Sequence, residues 1–526
     1  MEIGQSIYKI RNNAKLTQDQ FAEIFDVSQQ AVQKWESGSA VPDIEKIVKI
    51  AKYFDVSLDS LVMGNDNRLV EDMNKSEILK PQYKNLHDWE FYASNLKTEY
   101  QQSIEEGLDI EVYKEVFYSV SMLPKGEIKK RFGDILFDIV ASAKIKEEYS
   151  YVEPSDLEQI QMMRQGADER YSYDKDKIKD KIYGAWLGRI CGCMLGKTVE
   201  GIRTNEIVPF LKETENYPMY RYIYRTDLET VDLTKYKFNF AGRIYADEID
   251  GMPVDDDTNY VVLAQKVIEK YGRDFTPYDM SQAWLTYQAK DAYCTAERVA
   301  FCNFVNGYAP PESAVYKNPY REWIGAQIRG DYFGYINPAN PELAAEMAWR
   351  DASISHVKNG IYGEMFVAAM LAVAATTDEA EEIILGGLAE IPYTSRLYKE
   401  IVTIIDQYKS GLSQKECFDR IHQKYDEHTS HGWCHTIPNA MIVVGSLLYG
   451  KGDFGKSICM AVETGFDTDC NGATVGSILG MANGKETISE AWSAPINNKL
   501  HTSIFGVGTV NISDCVEKTL SHIENA

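Results

Sequence analysis

Ile3, Ile7 and Ile10 recur at the spacing of one helix face, and a helical period of this kind organises most of the chain. Thr17 stands before Phe21, Ala22 and Ile24 as an N-cap, which predicts a short second helix. Asp26-Val27-Ser28 reads as a tight turn whose Ser28 caps a third helix, Gln29 to Glu36, with Val32 and Trp35 facing inward. After a break from Gly38 to Pro42, Ile44, Ile47, Ile50 and Ala51 mark a fourth helix, and Val56, Leu58, Leu61 and Val62 close the core. Residues 1–66 therefore predict a four- to five-helix domain. Two short helices across a tight turn, the second studded with polar side chains, describe a helix-turn-helix.

Residues 67–175 alternate charged and aromatic positions, with helical stretches expected near Trp89–Gly107, Ile110–Met122 and Ile128–Lys146. Trp89, Phe91, Tyr92, Phe117 and Tyr118 are too many aromatics for a disordered tether. This region reads as helical and packed on the C-terminal part of the chain, with its charged faces in solvent and no chemistry of its own. From 176 to 526 the pattern is helical throughout and rich in small residues. Gly184, Gly188, Gly192 and Gly196 line one helix face, and Gly472, Gly476 and Gly480 repeat the device. Each glycine inside a helix costs roughly 1 kcal/mol, so such stripes imply very close helix packing. The fold class expected is all-α.

Composition narrows the partners. A chain of 526 residues with 44% hydrophobic residues exceeds a single ordinary core and reads as globular. No apolar run is long enough to span a bilayer, and the start lacks the features of a signal peptide. Nine scattered cysteines without metal-ribbon spacing suggest reduced thiols and a cytoplasmic location. A net charge of −24 argues against broad affinity for nucleic acid or membrane, so any DNA contact must be local.

Within the first domain, Leu16-Thr17-Gln18-Asp19-Gln20-Phe21-Ala22 and Val27-Ser28-Gln29-Gln30-Ala31-Val32-Gln33-Lys34-Trp35-Glu36-Ser37-Gly38 closely resemble the phage-repressor family of Cro/C1 (Xre-like) type. The resemblance implies that Gln29, Gln30 and Gln33 face base edges in the major groove, where glutamine pairs with adenine. It places Gln18 and Lys34 against phosphates. Basic residues here are matched by acids such as Asp19, Glu23, Glu36 and Asp43. Little counterion release is then available to a monomer, and binding to double-stranded DNA as a homodimer on paired half-sites is expected.

Two acidic clusters carry the candidate chemistry. Val254-Asp255-Asp256-Asp257-Thr258 and Phe466-Asp467-Thr468-Asp469-Cys470 each open a helix-like segment. Crowded carboxylates repel one another and resist desolvation unless a cation neutralises them. Hard oxygen ligands suit Mg²⁺ or Mn²⁺ better than zinc. A metal site built from two distant segments is therefore expected.

Taken with Gly192-Cys193-Met194-Leu195-Gly196-Lys197-Thr198-Val199-Glu200-Gly201, these clusters resemble the ADP-ribosylglycohydrolase family over residues 176 to about 510. That resemblance implies an all-α fold holding two Mg²⁺ or Mn²⁺ ions and cleaving a bond at the ribose C1 of an ADP-ribosylated or related N-riboside substrate. It implies Asp256, Asp257, Asp467 and Asp469 as metal ligands. Asp255 and Cys470 complete the set of six candidate metal ligands, in the two places where the family usually has Thr or Ser. Asp255 adds charge, and Cys470 is a poor ligand for a hard ion. Glu200 matches a glutamate beside metal and substrate, and with Asp256 and Asp469 makes up the implied catalytic set. Gln327, Arg329, Asp331, His356 and His435 are the implied substrate contacts, although the segment from Tyr320 to Asp331 lacks the family's glycine-rich wording. Two functions remain open: an active hydrolase coupled to transcriptional regulation, and a regulator whose hydrolase-like domain senses a nucleotide or nucleoside without turnover.

Overall fold

The computed structural model describes residues 2–56, 58–63, 81–166 and 171–524, which form two units divided between Tyr83 and Lys84. The domain boundary expected near residue 66 lies outside the described residues.

The first unit contains helices α1 (Glu2–Asn13), α2 (Gln18–Ile24), α3 (Gln29–Glu36), α4 (Ile44–Tyr53) and α5 (Leu58–Met63). Thr17 caps α2 in a reciprocal capping box, its hydroxyl accepting from Gln20 N while the Gln20 side chain accepts from Thr17 N. Ser28 Oγ accepts from Ala31 N at the start of α3. Ile3, Ile7, Phe21, Val32, Trp35, Ile47, Ile50 and Leu61 meet in the core. The caps and periods read from the sequence place these elements within a residue or two.

The second unit is helical apart from a two-stranded antiparallel sheet, Lys499–His501 with Thr509–Asn511. Its centre is Asn359–Ala374, a helix with every residue buried. Such a helix is apolar all round because it has no solvent face. Against this core lie Ile178–Lys197 and Thr468–Asn483, packed antiparallel glycine to glycine. Gly184 meets Gly480, Gly188 meets Gly476 and Gly192 meets Gly472, each so close that an added Cβ would strike the opposing carbonyl. The register ends with Gly196 against Thr468 and Asp469, and Thr468 Oγ1 donates to Gly196 O at 2.9 Å. The two stripes are thus one zipper, and its end delivers Lys197 to Asp255 of the first acidic cluster and brings Glu200 into one cavity with Asp467 and Asp469.

Of the connecting region, residues 84–166 and 171–175 belong to this second unit. The region's helices are Leu96–Glu105, Lys114–Ser121, Glu127–Ser142 and Leu157–Met163. One expectation is corrected here. Glu99, Gln102, Ser103 and Glu106, spaced as a helical stripe, are buried and not solvated. Arg321 donates to Glu99 at 2.8 Å and to Glu106 at 2.6 Å, Lys358 pairs with Glu106 at 2.7 Å, and Gln102 donates to Glu322 at 2.6 Å. Buried charge persists where partners satisfy it, and here the partners come from a segment over two hundred residues away.

Candidate active site and DNA interface

Each acidic cluster sits where a helix begins. Asp255 is the N-cap of Asp256–Tyr271, its Oδ1 accepting from Asp257 N at 2.9 Å. Asp467 occupies the same place before Thr468–Asn483. The preceding Gly465 (φ 79°) and Phe466 (φ 56°) are both left-handed. For a bulky residue that is strained, and strain of this kind is held where the surroundings over-determine it. Here the indole N–H of Trp433 donates to Phe466 O and pins the turn.

Glu200, Asp256, Asp467, Asp469 and Cys470 line one cavity of about 110 Å³. They come from three segments spread over most of the second unit. The opposite walls are Trp89, Trp323 and Trp433 with Ile324 and Ile328, and Cys294, Glu297 and Cys434 also reach the cavity. Asp257 stands behind this floor. Arg189, fully buried, donates to its carboxylate at 3.0 Å and its carbonyl at 2.9 Å, and to Asp331 at 2.9 Å. Lys197 Nζ lies 2.5 Å from Asp255 Oδ2. With Oδ1 capping the helix, both oxygens of Asp255 are engaged by the protein. The extra charge at that position is therefore met by an internal lysine.

The remaining carboxylates are not so well matched. Burial, then the charges of Asp255 and Glu200, pushes Asp256 up to about 8. Burial and Glu200 push Asp467 up to about 7 and raise Asp469 far above the carboxylate range. Asp257 is also raised by burial, against the pull of Arg189, and Glu200 by burial and Asp255. Asp257 Oδ2 and Asp469 Oδ1 are buried without a hydrogen-bond partner. The ligand atoms of Asp257, Asp469 and Cys470 lie within 4.8 Å of one another, as do those of Cys193, Asp255 and Asp257. Orphaned, mutually repelling oxygens in a buried pocket fit a hard divalent cation.

The five expected substrate contacts lie behind this wall. Arg329 is buried among Glu297, Asp351 and Glu364, at 3.1, 2.9 and 3.5 Å. Asp331 is the second carboxylate on Arg189, where it orients the arginine that grips Asp257. Gln327 is buried with neither amide atom hydrogen-bonded. His356 is buried against Ser355 Oγ at 2.8 Å, and burial lowers its basicity strongly. His435 is buried, its Nδ1 accepting from Ile437 N at 3.2 Å. The segment around them is folded into the core, where Arg329 and Asp331 serve internal partners and Gln327 is left without one, while its neighbours Trp323, Ile324 and Ile328 face the cavity.

Glu105, His431 and His435 form a further cluster. Trp323 Nε1 donates to His431 Nδ1 at 3.1 Å, as Ile437 N does to His435 Nδ1. His431 Nε2 then donates to Glu105 Oε2 at 3.0 Å, while His435 Nε2 lies 3.6 Å from that oxygen and 3.7 Å from Glu322 Oε2, beyond hydrogen-bond reach of either. The His431 Nε2 proton on Glu105 occupies the lone pair that a metal would need there.

Sequence reasoning did not single out Trp89, Arg189, Lys197, Cys294, Glu297, Trp323 or Trp433 for this site. Arg189 carried a signal, a lone charge in the otherwise apolar run Trp186 to Leu195. The tryptophans carried none, because aromatics in a helical chain read as core.

In the first unit Gln29, Gln30, Gln33 and Lys34 are exposed on α3. Gln18, half-buried at the start of α2, donates to Glu36 Oε2 at 2.7 Å, and Arg11 pairs with the same glutamate at 2.6 Å. These contacts lock α1, α2 and α3 together and leave the polar face of α3 open.

Fold and site together define an all-helical domain with an acidic, tryptophan-walled cavity, on a chain that also carries a DNA-binding helix-turn-helix domain. The sequence pattern of the ADP-ribosylglycohydrolase family matches residues 174–518, and that of the helix-turn-helix family matches residues 7–61. The chain belongs to the ADP-ribosylglycohydrolase family. Its N-terminal part is similar to the HTH-type transcriptional activator BcrR of Enterococcus faecalis, 38% identical over 81 residues, covering 15% of this chain and 40% of BcrR. It is also similar to the uncharacterized HTH-type transcriptional regulator YqaE of Bacillus subtilis, 33% identical over 76 residues, covering 14% of this chain and 66% of that one. The chain thus spans less than two thirds of either relative. Among solved structures, a chain of an ADP-ribosylglycohydrolase-related protein complex aligns with a TM-score of 0.42 at 17% identity, covering 66% of this chain and 99% of the other. No described helix is long and apolar enough to cross a membrane, and all nine cysteines are free thiols.

Proposed function

We propose that the second unit is a divalent-metal-dependent glycohydrolase acting on a ribosyl C1 bond, and that the helix-turn-helix domain couples it to sequence-specific DNA. One observation carries this reading: Glu200, Asp256, Asp467 and Asp469 share a single cavity, with buried oxygens of Asp257 and Asp469 unpaired beside it. Asp256, Asp257, Asp467 and Asp469 would hold two Mg²⁺ or Mn²⁺ ions, with Asp255 engaged by Lys197 and Cys470 a weak neighbour. When bound, such ions supply charge neutralisation and Lewis acidity toward water and the ribose diol.

The chain's own residues do the rest. Glu200, on the turn after the zipper, orients the attacking water and takes its proton. Water adds at C1, the C1–N or C1–O bond breaks with its electron pair going to the leaving group, and the proton passes to that group. Positive charge building at C1 is stabilised by the acidic floor. The tryptophan walls exclude bulk water. Arg189, held by Asp331, keeps Asp257 in place without touching substrate.

The fusion to a DNA-binding domain favours a second reading, in which the cavity senses a nucleotide or nucleoside and ligand occupancy alters a homodimer's half-site spacing. Turnover of ADP-ribosyl-arginine, ADP-ribosyl-serine and simple nucleosides by the full chain, with and without Mg²⁺, separates the two. Metal-dependent release that disappears in Asp256→Ala supports catalysis. Metal uptake without turnover of any of these, together with ligand-responsive DNA binding, would leave only the sensor.

A further inference from the structure

Trp89 lies outside residues 174–518, yet its indole lines the acidic cavity. It sits on a one-turn segment, Asp88–Glu90, fastened to the second unit by charge. Lys125 holds Asp88 at 2.7 Å, and Glu90 pairs with Lys290 and lies 3.6 Å from Arg298. The Arg298 guanidinium stands 5.0 Å from the centre of the Trp89 ring, the His87 ring lies 4.4 Å from it, and Trp89 packs against the buried cluster that includes Trp323 and Cys434.

The three tryptophan walls are fixed differently. Trp433 donates its ring N–H to Phe466 O and Trp323 donates to His431 Nδ1, whose Nε2 faces Glu105. Among the described residues no hydrogen bond fixes the Trp89 ring, which is half-buried. The cavity of about 110 Å³ is well below the roughly 300–1,000 Å³ of sites that enclose small-molecule ligands. A nucleoside would fill this cavity and extend past its walls, and of the three tryptophans Trp89 is the one whose ring is held by His87 and Arg298 without a hydrogen bond of its own among the described residues.

We propose that Trp89 is a ligand-contacting residue supplied by the connecting region: it stacks on the planar base of the ligand. The ligand class is a ribosyl compound carrying a flat heterocycle, adenosine and ADP-ribose among them. This inference rests on the ribosyl reading above. It makes residues 84–163 part of the ligand-binding domain, since they supply Trp89 directly and, through Glu105, hold the histidine that orients Trp323.

The test is calorimetric titration of the full, Mg²⁺-loaded chain with adenosine, ADP-ribose and ribose 5-phosphate. Trp89→Ala should weaken adenosine and ADP-ribose by about 5- to 150-fold, the equivalent of about 1–3 kcal/mol per stacked base. Ribose 5-phosphate, which has no base, should change by less than about twofold, and Trp89→Phe should recover most of the affinity for the other two. Unchanged or tighter adenosine binding by Trp89→Ala would overturn the proposal. So would an equal loss for all three probes that Trp89→Phe fails to rescue, which marks a purely structural side chain. If the wild-type chain binds none of the three, the ribosyl reading falls and takes this one with it; binding that ignores Trp89 sinks this one alone.

Discussion

Replacing Gly188 with Ala sets two effects of known size against each other. Alanine is favoured over glycine inside a helix by about 1 kcal/mol, so on propensity alone the variant is more stable. In this fold the new methyl would lie 2.8 Å from the Gly476 carbonyl carbon and 3.2 Å from a Phe454 ring carbon, and closer still to the Gly476 oxygen. Carbon atoms pack at about 3.5–4.0 Å, so the helices must part by about 1 Å. Gly184 to Gly196 covers about 18 Å of axis at 1.5 Å per residue. A gap of about 1 Å over a strip about 18 Å long and 5 Å wide is about 90 Å³, which costs about 2 kcal/mol at 24 cal/mol per Å³. Residual overpacking adds about 1–3 kcal/mol where the helices do not part fully. The clash wins, and net destabilisation of about 1–3 kcal/mol is expected. The site should feel it as well, because the end of the zipper carries Lys197 toward Asp255 and Glu200 toward Asp467 and Asp469. Thermal unfolding followed by circular dichroism, with a parallel Mg²⁺ titration, measures both. A melting temperature for Gly188→Ala at or above wild type would mean that propensity had prevailed and that the stripe is not close-packed as argued.

Arg189→Met strips two buried carboxylates, Asp257 and Asp331, of their shared cation. A loss of about 3–5 kcal/mol is expected by chemical denaturation at neutral pH, smaller in acid where those carboxyls are protonated. In metal-free protein, Asp256 and Asp467 stay protonated up to about 8 and about 7 while the unfolded chain ionises near 4. The folded state then binds excess protons between those limits, so stability should fall as pH rises from 4 toward 8. Added Mg²⁺ should flatten that slope, and a melting series in EDTA that rises with pH over this range would contradict it. Changing Gln29 and Gln30 together to Ala should erase sequence preference in a binding-site selection while leaving the melting point of the first unit nearly unchanged, since both are exposed. Retained preference would remove α3 from the role of reading helix.

What the sequence disclosed depends on which interactions are local. Thr17 and Ser28 cap helices three residues ahead of them, so α2 and α3 could be drawn from neighbours alone. The aspartate clusters were visible because short runs of carboxylates have few structural uses. The two glycine stripes announced close packing, but not that each was the other's partner, because the residues match only when the chain is folded back through some 290 positions. The connecting region was the least legible. Glu99, Gln102 and Glu106 have the composition of a wet surface, and only Arg321, Lys358 and Glu322 turn that stripe inward. A polar stripe at helical period is ambiguous between solvent and a buried network, and the decision belongs to distant residues. That same ambiguity hid Trp89. A tryptophan in a charge-rich segment reads as a local staple until the segment is seen docked on the acidic cavity. Family resemblance begins at residue 174 and is silent about it. The stretch between the DNA-binding domain and the hydrolase-like domain is thus more than a spacer. Its buried ion pairs bind it to Arg321 and Lys358, and from the same stretch Trp89 reaches the acidic cavity.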